Sequence, residues 1–290
     1  MSRELTSRLL LGPLFAATAI GLVLADIWLP GHGGALLLST LVVMLASWEL
    51  VRLLRPIAPG GQFLPVCVSS LLLLLSVWPG PPALVAERQL DLPMLIVGLS
   101  LAWISLQQMA RHGLDHFVEN VAVSVFGVVY IGVAAYLLMT LATTQTEANP
   151  WRGPQLVLLI ITACKMGDTS AYFGGRAFGT TKLCPSISPG KTRAGFISSL
   201  VGSIVGVYLL HAIFTWSMDQ GPLLAWWHGV IWGLVVGPLG ALGDLLESCL
   251  KRSVQAKDSS NALPGFGGFL DVFDAVLLAA PIGCLLTLFI

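Results

Sequence analysis

The chain has 290 residues, of which 56% are hydrophobic and only 10% are charged. A soluble domain carries about 25% charged residues, so this composition excludes an ordinary soluble protein and indicates an integral membrane protein. Fifteen basic and fifteen acidic residues balance to a formal net charge of zero, and we do not expect nucleic acid as a partner.

Nine apolar segments approach the length of about 20 residues that a helix needs to cross the hydrocarbon. We therefore expect an all-α, polytopic membrane protein with about nine transmembrane helices. The first segment has features of a signal peptide, but its apolar run is long and no small-residue cleavage site follows it cleanly, so we interpret it as the first span. The segments cover residues 8–29, 34–54, 63–80, 93–110, 121–142, 154–174, 194–216, 225–248 and 270–290.

The basic residues are distributed unevenly between alternate loops. If the N-terminus is cytoplasmic, twelve of the fifteen lie on the cytoplasmic side and only Arg88 and Arg152 lie on the opposite side. This is the asymmetry of the positive-inside rule. We therefore expect a cytoplasmic N-terminus.

The first half of the chain offers few groups for chemistry. Asp26 and Glu49 lie near the ends of their spans, where we expect both carboxylates to be solvated. His112 and His116 have helical i, i+4 spacing but no strong third metal ligand nearby, so we expect them at the surface. The five cysteines show no C-x-x-C spacing, which argues against zinc sites and disulfides.

Polar residues accumulate near the end of the eighth span and the start of the ninth. Asp244, Glu247, Ser248 and Lys251 share one helical face, with Arg252 beside them. A carboxylate inside a bilayer costs about 3 kcal/mol on insertion scales, which makes it a functional candidate. Together with Asp271 and Asp274, these acids supply the hard oxygen ligands that Mg²⁺ prefers. The alternative is a structural salt-bridge network of these acids with Lys251, Arg252 and Lys257.

A second polar region follows the sixth span. Lys165 and Asp168 lie one turn apart and could neutralise each other. The following loop combines cations with Gly, Ser and Thr, a composition suited to a polyphosphate or, alternatively, to lipid headgroups. Its SPGKT sequence is not a Walker A motif, because that motif requires glycine where Pro185 stands and a preceding strand that a membrane helix cannot provide. The cations of this loop are Arg176, Lys182, Lys191 and Arg193.

The run SCLKRSVQAKDSSNALPGFGGFLDVFD, residues 248–274, resembles the signature of the phosphatidate cytidylyltransferases. The upstream stretch GDTSAYFGGRAFGTTKLCPSISPGKT, residues 167–192, is similar to a second conserved block of that family. The resemblance covers most of residues 165–274. The positions that fit the signature are Ser248, Lys251, Arg252, Lys257, Asp258, Ser260, Leu263, Pro264, Gly267, Gly268, Asp271 and Asp274.

The sequence departs from the family pattern at several positions. Phe266 stands where the family usually has His, and Val272 where it usually has Arg. Ala194 replaces an acidic or amide residue, and the pair 198–199 is Ser-Ser in place of Gly-Gly. A divergent or inactive homologue that acts on another lipid phosphate therefore stays open as an alternative. A cation-coupled transporter is a further alternative, although we find no internal repeat to support it.

The resemblance implies transfer of CMP from CTP to phosphatidic acid, giving CDP-diacylglycerol and pyrophosphate in phospholipid biosynthesis. It implies a homodimer among membrane lipids, in a bacterial-type inner membrane, with the active site facing the cytoplasm. We expect residues 1–150 to form structural transmembrane helices, which could also carry dimer contacts, and residues 151–290 to form the catalytic region.

The expected roles divide into three groups. Metal binding, by Mg²⁺ and with a second cation such as K⁺ left open, falls to Asp244, Glu247, Asp271 and Asp274. Catalytic roles fall to Asp244, Ser248, Lys251 and Asp271. Binding of CTP and of the lipid phosphate falls to Asp168, Arg176, Lys182, Ser188, Lys191, Arg252, Lys257 and Asp258.

Overall fold

A computed structural model of the chain describes residues 17–26, 32–77, 91–146, 149, 151–218, 223–260 and 267–289. Residues 17–25 are helical, and eight further helices follow. A short 3₁₀ turn, Thr287–Phe289, extends the last of them. The helices are α1 Gly33–Leu53, α2 Phe63–Leu75, α3 Leu92–His112, α4 Phe117–Ala142, α5 Arg152–Phe178, α6 Arg193–Met218, α7 Trp226–Ser253 and α8 Leu270–Leu286.

The described residues include seven helices that are long and apolar enough to cross a membrane, judged by length and composition. These are α1 and α3–α8, and they confirm an integral membrane protein that is mostly helical. Helix α2 has 13 residues, fewer than the roughly 20 that span the hydrocarbon. The predicted span 8–29 lies mostly outside the described residues. The total of nine spans and the orientation of the N-terminus stay predictions.

The all-α class is confirmed, and the loop after α5 adds a short hairpin that the sequence did not predict. Strands β1 (Lys182–Cys184) and β2 (Ser188–Thr192) form an antiparallel pair, with Lys182 opposite Thr192 and Cys184 opposite Ser188. Pro185 follows Cys184 in a turn that the Ile187 N–H closes on the Cys184 carbonyl at 3.2 Å. Proline is pre-set for the second position of such a turn. SPGKT is therefore an extended strand, which agrees with the rejection of a Walker A phosphate loop.

The chain divides into two compact units. Unit 1 comprises Met1–Thr140 and Ser253–Val272, and unit 2 comprises Leu141–Arg252 and Phe273–Ile290. The segment that precedes α8 thus folds with the helices of the first half of the chain. The core of unit 1 contains Val51, Val66, Leu73, Ile104 and Val128, all buried.

Small residues bring the helices of unit 2 close together. A β-carbon added at Gly202 of α6 would lie 2.0 Å from the Ser170 hydroxyl of α5, and one added at Gly237 of α7 would lie 2.2 Å from the Ser203 hydroxyl of α6. Such contacts can form only without a side chain. Gly202 and Gly206, and likewise Gly233 and Gly237, have G-x-x-x-G spacing, and these glycines therefore serve helix packing within the chain.

The five cysteines, four of which lie in the second half of the chain, are free thiols. In the first half, His112 and His116 are exposed, as expected. Asp26, however, is buried, and the prediction that it is solvated is wrong. Its carboxylate accepts the N–H groups of Gly34 at 2.6 Å and Ala35 at 2.9 Å. The first N–H groups of a helix have no partner within the helix, so this acid satisfies the start of α1.

Candidate active site

One face of α7 carries the predicted column of charged residues. The Lys251 ammonium donates to the Glu247 carboxylate at 2.8 Å, across one helical turn, and Glu247 is only 3% exposed. A buried acid needs such a partner, because an isolated charge is strongly destabilised away from water. The salt-bridge alternative therefore describes this pair. The metal-binding role of Glu247 and the catalytic role of Lys251 stay predictions.

Lys191 connects the hairpin to the same helix, one turn earlier. Its ammonium lies 3.3 Å from Oδ2 of Asp244 and donates to the Ala241 carbonyl at 3.0 Å. Both side chains are partly exposed, Lys191 at 24% and Asp244 at 33%. Lys191 is therefore partly accessible to a ligand and lies against Asp244, which the sequence predicts to bind metal.

The backbone around Lys191 is fixed by its neighbour, Thr192. The Thr192 hydroxyl accepts the Gly195 N–H at 3.0 Å, which is the N-cap arrangement for α6. Thr192 also pairs with Lys182 across the hairpin. Lys191 therefore extends from a rigid strand end rather than from a flexible loop.

Three carboxyl groups of unit 2 come within interaction range of one another. Asp244 and Asp274 share a side-chain hydrogen bond, and Asp274 is 2% exposed. Asp168 interacts electrostatically with Asp244 and with the lysines Lys165 and Lys191. Two carboxyl groups in contact at a buried position need a proton or a cation between them, because two bare negative charges repel each other there. A shared proton satisfies this pair as well as a cation does, so the metal-binding roles of Asp244 and Asp274 stay predictions.

The close approach of α7 to α8 at these acids depends on glycine. A β-carbon at Gly243 would lie 2.6 Å from the Asp274 carbonyl oxygen and 2.7 Å from the Ala275 α-carbon. These are backbone atoms, which cannot rotate away as a side chain can. Gly243 immediately precedes Asp244. The glycine that permits the close approach of α7 to α8 is therefore adjacent to the aspartate that contacts Asp274 of α8.

The remaining predicted phosphate-binding residues lie near the surface. Lys165 and Asp168 form the predicted pair, at 3.9 Å. Ser248 of α7 and Ser188 of β2 are half-buried. The catalytic role of Ser248 and the substrate-binding roles of Asp168, Ser188 and the exposed residues stay predictions. The exposed ones are Arg176, Lys182, Arg252, Lys257 and Asp258.

In unit 1, a second acidic cluster contains a residue that sequence analysis misinterpreted. Glu49 of α1 is 1% exposed, so the prediction of a solvated carboxylate is wrong. Val42, Ala46, Glu49 and Leu53 are all buried and recur at helical spacing, which puts Glu49 on the buried face of α1. Its carboxylate accepts hydrogen bonds from the segment before α8 and from the first residue of that helix.

Asp271 belongs to the same cluster. Its Oδ2 accepts the Ser259 hydroxyl at 2.7 Å, the Gly268 N–H at 2.7 Å and the Ser259 N–H at 3.2 Å. One oxygen of this carboxylate therefore organises the loop before α8. Its predicted roles in catalysis and metal binding stay predictions.

The donor set of unit 2 fits Mg²⁺ only as a partly protein-bound ion. Within the described ranges, no three His, Cys, Asp or Glu side chains form a group that could hold a metal alone. Mg²⁺ is commonly bound by one or two carboxylates, with water and substrate phosphates completing its octahedron. Asp244 and Asp274 supply that number of carboxylates.

Comparison with known proteins identifies the family to which the chain is similar. The model of the cytidylyltransferase family matches residues 13–290. A phosphatidate cytidylyltransferase of Staphylococcus saprophyticus is 30% identical over 250 residues, 86% of this chain and 89% of that protein. A second, of Staphylococcus haemolyticus, is 27% identical over 90% of this chain and 92% of the relative. A third, of Chlamydia trachomatis, is 34% identical over 62% of this chain, and the match spans only 58% of the chlamydial protein.

Proposed function

The chain belongs to the cytidylyltransferase family, and on this premise we propose that it transfers CMP from CTP to phosphatidic acid, releasing pyrophosphate and forming CDP-diacylglycerol. The names of the Staphylococcus and Chlamydia relatives support the lipid substrate. The observation that carries the proposal to particular atoms is the contact of Asp244 with both Asp274 and Lys191.

The physical requirement of this reaction is charge neutralisation. The phosphate of phosphatidic acid is already an anionic nucleophile, so it needs little help from a general base. The barrier lies in bringing this phosphate to the α-phosphorus of CTP, because the oxygens of the CTP triphosphate are also negatively charged. Such a barrier is lowered by positively charged groups that already point toward the position where negative charge develops in the transition state.

We call Asp168, Lys191, Asp244 and Asp274 the unit 2 cluster. Each of these residues contributes to the binding or neutralisation of the phosphates. The Lys191 ammonium is partly exposed and would contact a phosphate oxygen while Asp244 and the Ala241 carbonyl hold it in place. Asp244 and Asp274 would hold Mg²⁺, which supplies Lewis-acid neutralisation of phosphate oxygens when bound. Asp168 adds a third carboxylate within electrostatic range of Asp244 and Lys191, and we propose that it takes part in substrate binding.

We further propose that this cluster faces the cytoplasm of a bacterial-type inner membrane. CTP is supplied from the cytoplasm, whereas the acyl chains of the lipid stay in the bilayer. The reacting phosphates must therefore meet at the boundary. We also expect a homodimer. The residues of the proposed site all belong to one chain.

CTP labelled with ³²P separates this function from its alternatives. With purified protein, Mg²⁺ and phosphatidic acid, label from the α-phosphate should enter the organic phase and label from the γ-phosphate should stay in the aqueous phase as pyrophosphate. Transfer of the γ-label to lipid would indicate a kinase and contradict the proposal. Transfer of the α-label only to another lipid phosphate would support the divergent homologue, and no transfer of either label would refute cytidylyltransfer.

A further inference from the structure

Glu49 is a buried carboxylate whose recorded partners all come from one distant segment. Its Oε1 accepts the Ser260 hydroxyl at 2.6 Å, and its Oε2 accepts the Leu270 N–H at 2.8 Å. Glu49 takes no part in the ion pairs Lys165–Asp168, Lys191–Asp244 and Lys251–Glu247. A buried charge is tolerated only when hydrogen bonds replace its water, and the Ser260 hydroxyl and the Leu270 N–H provide that replacement.

The hydroxyl of Ser259 links this carboxylate to Asp271. It lies 3.4 Å from Glu49 Oε2 and 2.7 Å from Asp271 Oδ2. A hydroxyl has a single proton to donate, and the shorter contact to Asp271 is the stronger bond. Ser259 therefore donates to Asp271 and lies against Glu49, so the two carboxylates hold one serine between them.

Gly268 makes this arrangement possible. A β-carbon at this position would lie 2.0 Å from the Ser259 hydroxyl and 2.4 Å from Glu49 Oε2. The Gly268 N–H also donates to Asp271 at 2.7 Å. The glycine of the sequence signature thus lets the backbone approach both acids at once.

We propose that Glu49 is a positioning residue for the reaction: it fixes two described residues, Ser260 of the loop before α8 and Leu270 at the start of that helix, and through Ser259 it fixes Asp271. Its role rests on the proposed function, because the loop carries Lys257 and Asp258 as predicted phosphate-binding residues. Helix α1 is the element that holds Glu49, so the N-terminal half of the chain contributes directly to the geometry of the signature segment. A buried structural hydrogen bond alone would stabilise the fold without affecting turnover per folded molecule.

The test replaces Glu49 with Gln in the full-length protein. Glutamine keeps the size of the side chain but removes its charge, and its single amide oxygen can accept from only one of the two donors. If that oxygen accepts the Leu270 N–H, the bond to the Ser260 hydroxyl survives only with its direction reversed. Loss of a residue that orients a metal or substrate ligand typically lowers activity by about 10–100-fold. We expect a reduction of kcat in this range, and an increase in the Mg²⁺ concentration for half-maximal activity, in protein that remains monodisperse in detergent.

The matched control is Glu119→Gln, because Glu119 is an exposed glutamate of α4 in the same unit. It should leave kcat, the KM for CTP and the Mg²⁺ dependence unchanged. Ser259→Ala tests whether Glu49 acts on Asp271 through the Ser259 hydroxyl. If Glu49 acts through Ser259 and Asp271, the double variant Glu49→Gln/Ser259→Ala should lose less than the product of the two single losses.

Three results would separate the possible failures. Wild-type protein without α-label transfer would refute the proposed function and this role with it. Active wild-type protein whose Glu49→Gln variant has normal kcat and Mg²⁺ dependence per folded molecule, with only a lower melting temperature, would overturn the positioning role alone. If Glu49→Gln does not fold, Ser260→Ala replaces it, since it removes one donor and keeps the acid; unchanged kcat and Mg²⁺ dependence in that variant would overturn the role as well.

Discussion

Replacement of Asp244 by Asn should lower the turnover of CTP with phosphatidic acid by about 10²–10³-fold, the scale of losing one fixed charge-stabilising group in an active site. Asn keeps the shape of the side chain but not its charge. The Lys191 ammonium, 3.3 Å away, would lose its ionic partner, and the contact with Asp274 would no longer join two carboxyl groups. A cation would then be held by a single buried acid.

The measurement is steady-state formation of lipid-soluble α-label in detergent, with kcat and KM determined separately for CTP and for Mg²⁺. Asp115→Asn is the control, because Asp115 is an exposed aspartate outside the cluster. It should behave as wild type. Retention of more than about one-tenth of wild-type kcat by a well-folded Asp244→Asn protein would contradict the assignment of Asp244.

Replacement of Lys191 by Met should lower kcat/KM for CTP by about 10²-fold, again on the scale of one preorganised charge-stabilising group. Methionine approximates the length of the side chain without its charge. The loss should be large because the Thr192 cap fixes the backbone beside Lys191, while Asp244 and the Ala241 carbonyl hold its ammonium in place. Lys191→Arg should recover part of the activity, since the charge returns in a different geometry.

Arg111→Gln provides the comparison for Lys191, because it removes an exposed cation at the end of α3. Its kcat/KM should equal that of wild type. The salt dependence of KM for CTP gives a second readout, because a lost ammonium–phosphate contact should make binding of CTP less sensitive to ionic strength. Equal kcat/KM for Lys191→Met and wild type would show that Lys191 serves the Asp244 salt bridge and nothing more.

Much of the fold could be predicted from the sequence because membrane helices have a strong local signal. Apolar runs of the required length locate α1 and α3–α8 to within a few residues. The hairpin was missed for the opposite reason. Strands of three and five residues within a Gly-, Ser- and Pro-rich loop carry almost no periodicity, and only the Pro185 turn suggests them.

The unit 2 cluster could be predicted in part. Helical spacing identified the charged face of α7, and the i, i+4 geometry correctly put Glu247 beside Lys251. The same spacing could not distinguish an ion pair from a metal site. The contact between Lys191 and Asp244 joins residues 53 positions apart in the sequence, and no local pattern encodes it.

Glu49 shows where local reasoning failed. An acid within an apolar span was the signal that singled out Asp244, and Glu49 carries the same signal. Its position near the end of the helix suggested solvent, but the buried face formed by Val42, Ala46 and Leu53 already included position 49. Its partners lie more than 200 residues later in the chain, so their identity required the structure.

The structure explains some of the departures from the family pattern and not others. The hydroxyl of Ser198 packs against Gly174, where an added β-carbon would lie 1.9 Å from it, so the small residue needed at this contact is Gly174. Val272 is half-buried near the start of α8. Nothing in the structure explains its difference from the usual arginine. Phe266 lies outside the described residues.

Direct cation binding tests the central claim, that Asp244 and Asp274 gather the cation that lets two anionic phosphates meet. Equilibrium dialysis in detergent, with Mn²⁺ as a detectable substitute for Mg²⁺ and with CTP present but phosphatidic acid absent, measures the ion bound per protein above that carried by CTP alone. Wild type and Asp115→Asn should bind Mn²⁺ saturably, and Asp244→Asn/Asp274→Asn should lose that binding. Equal Mn²⁺ binding by the double variant and wild type would contradict the claim.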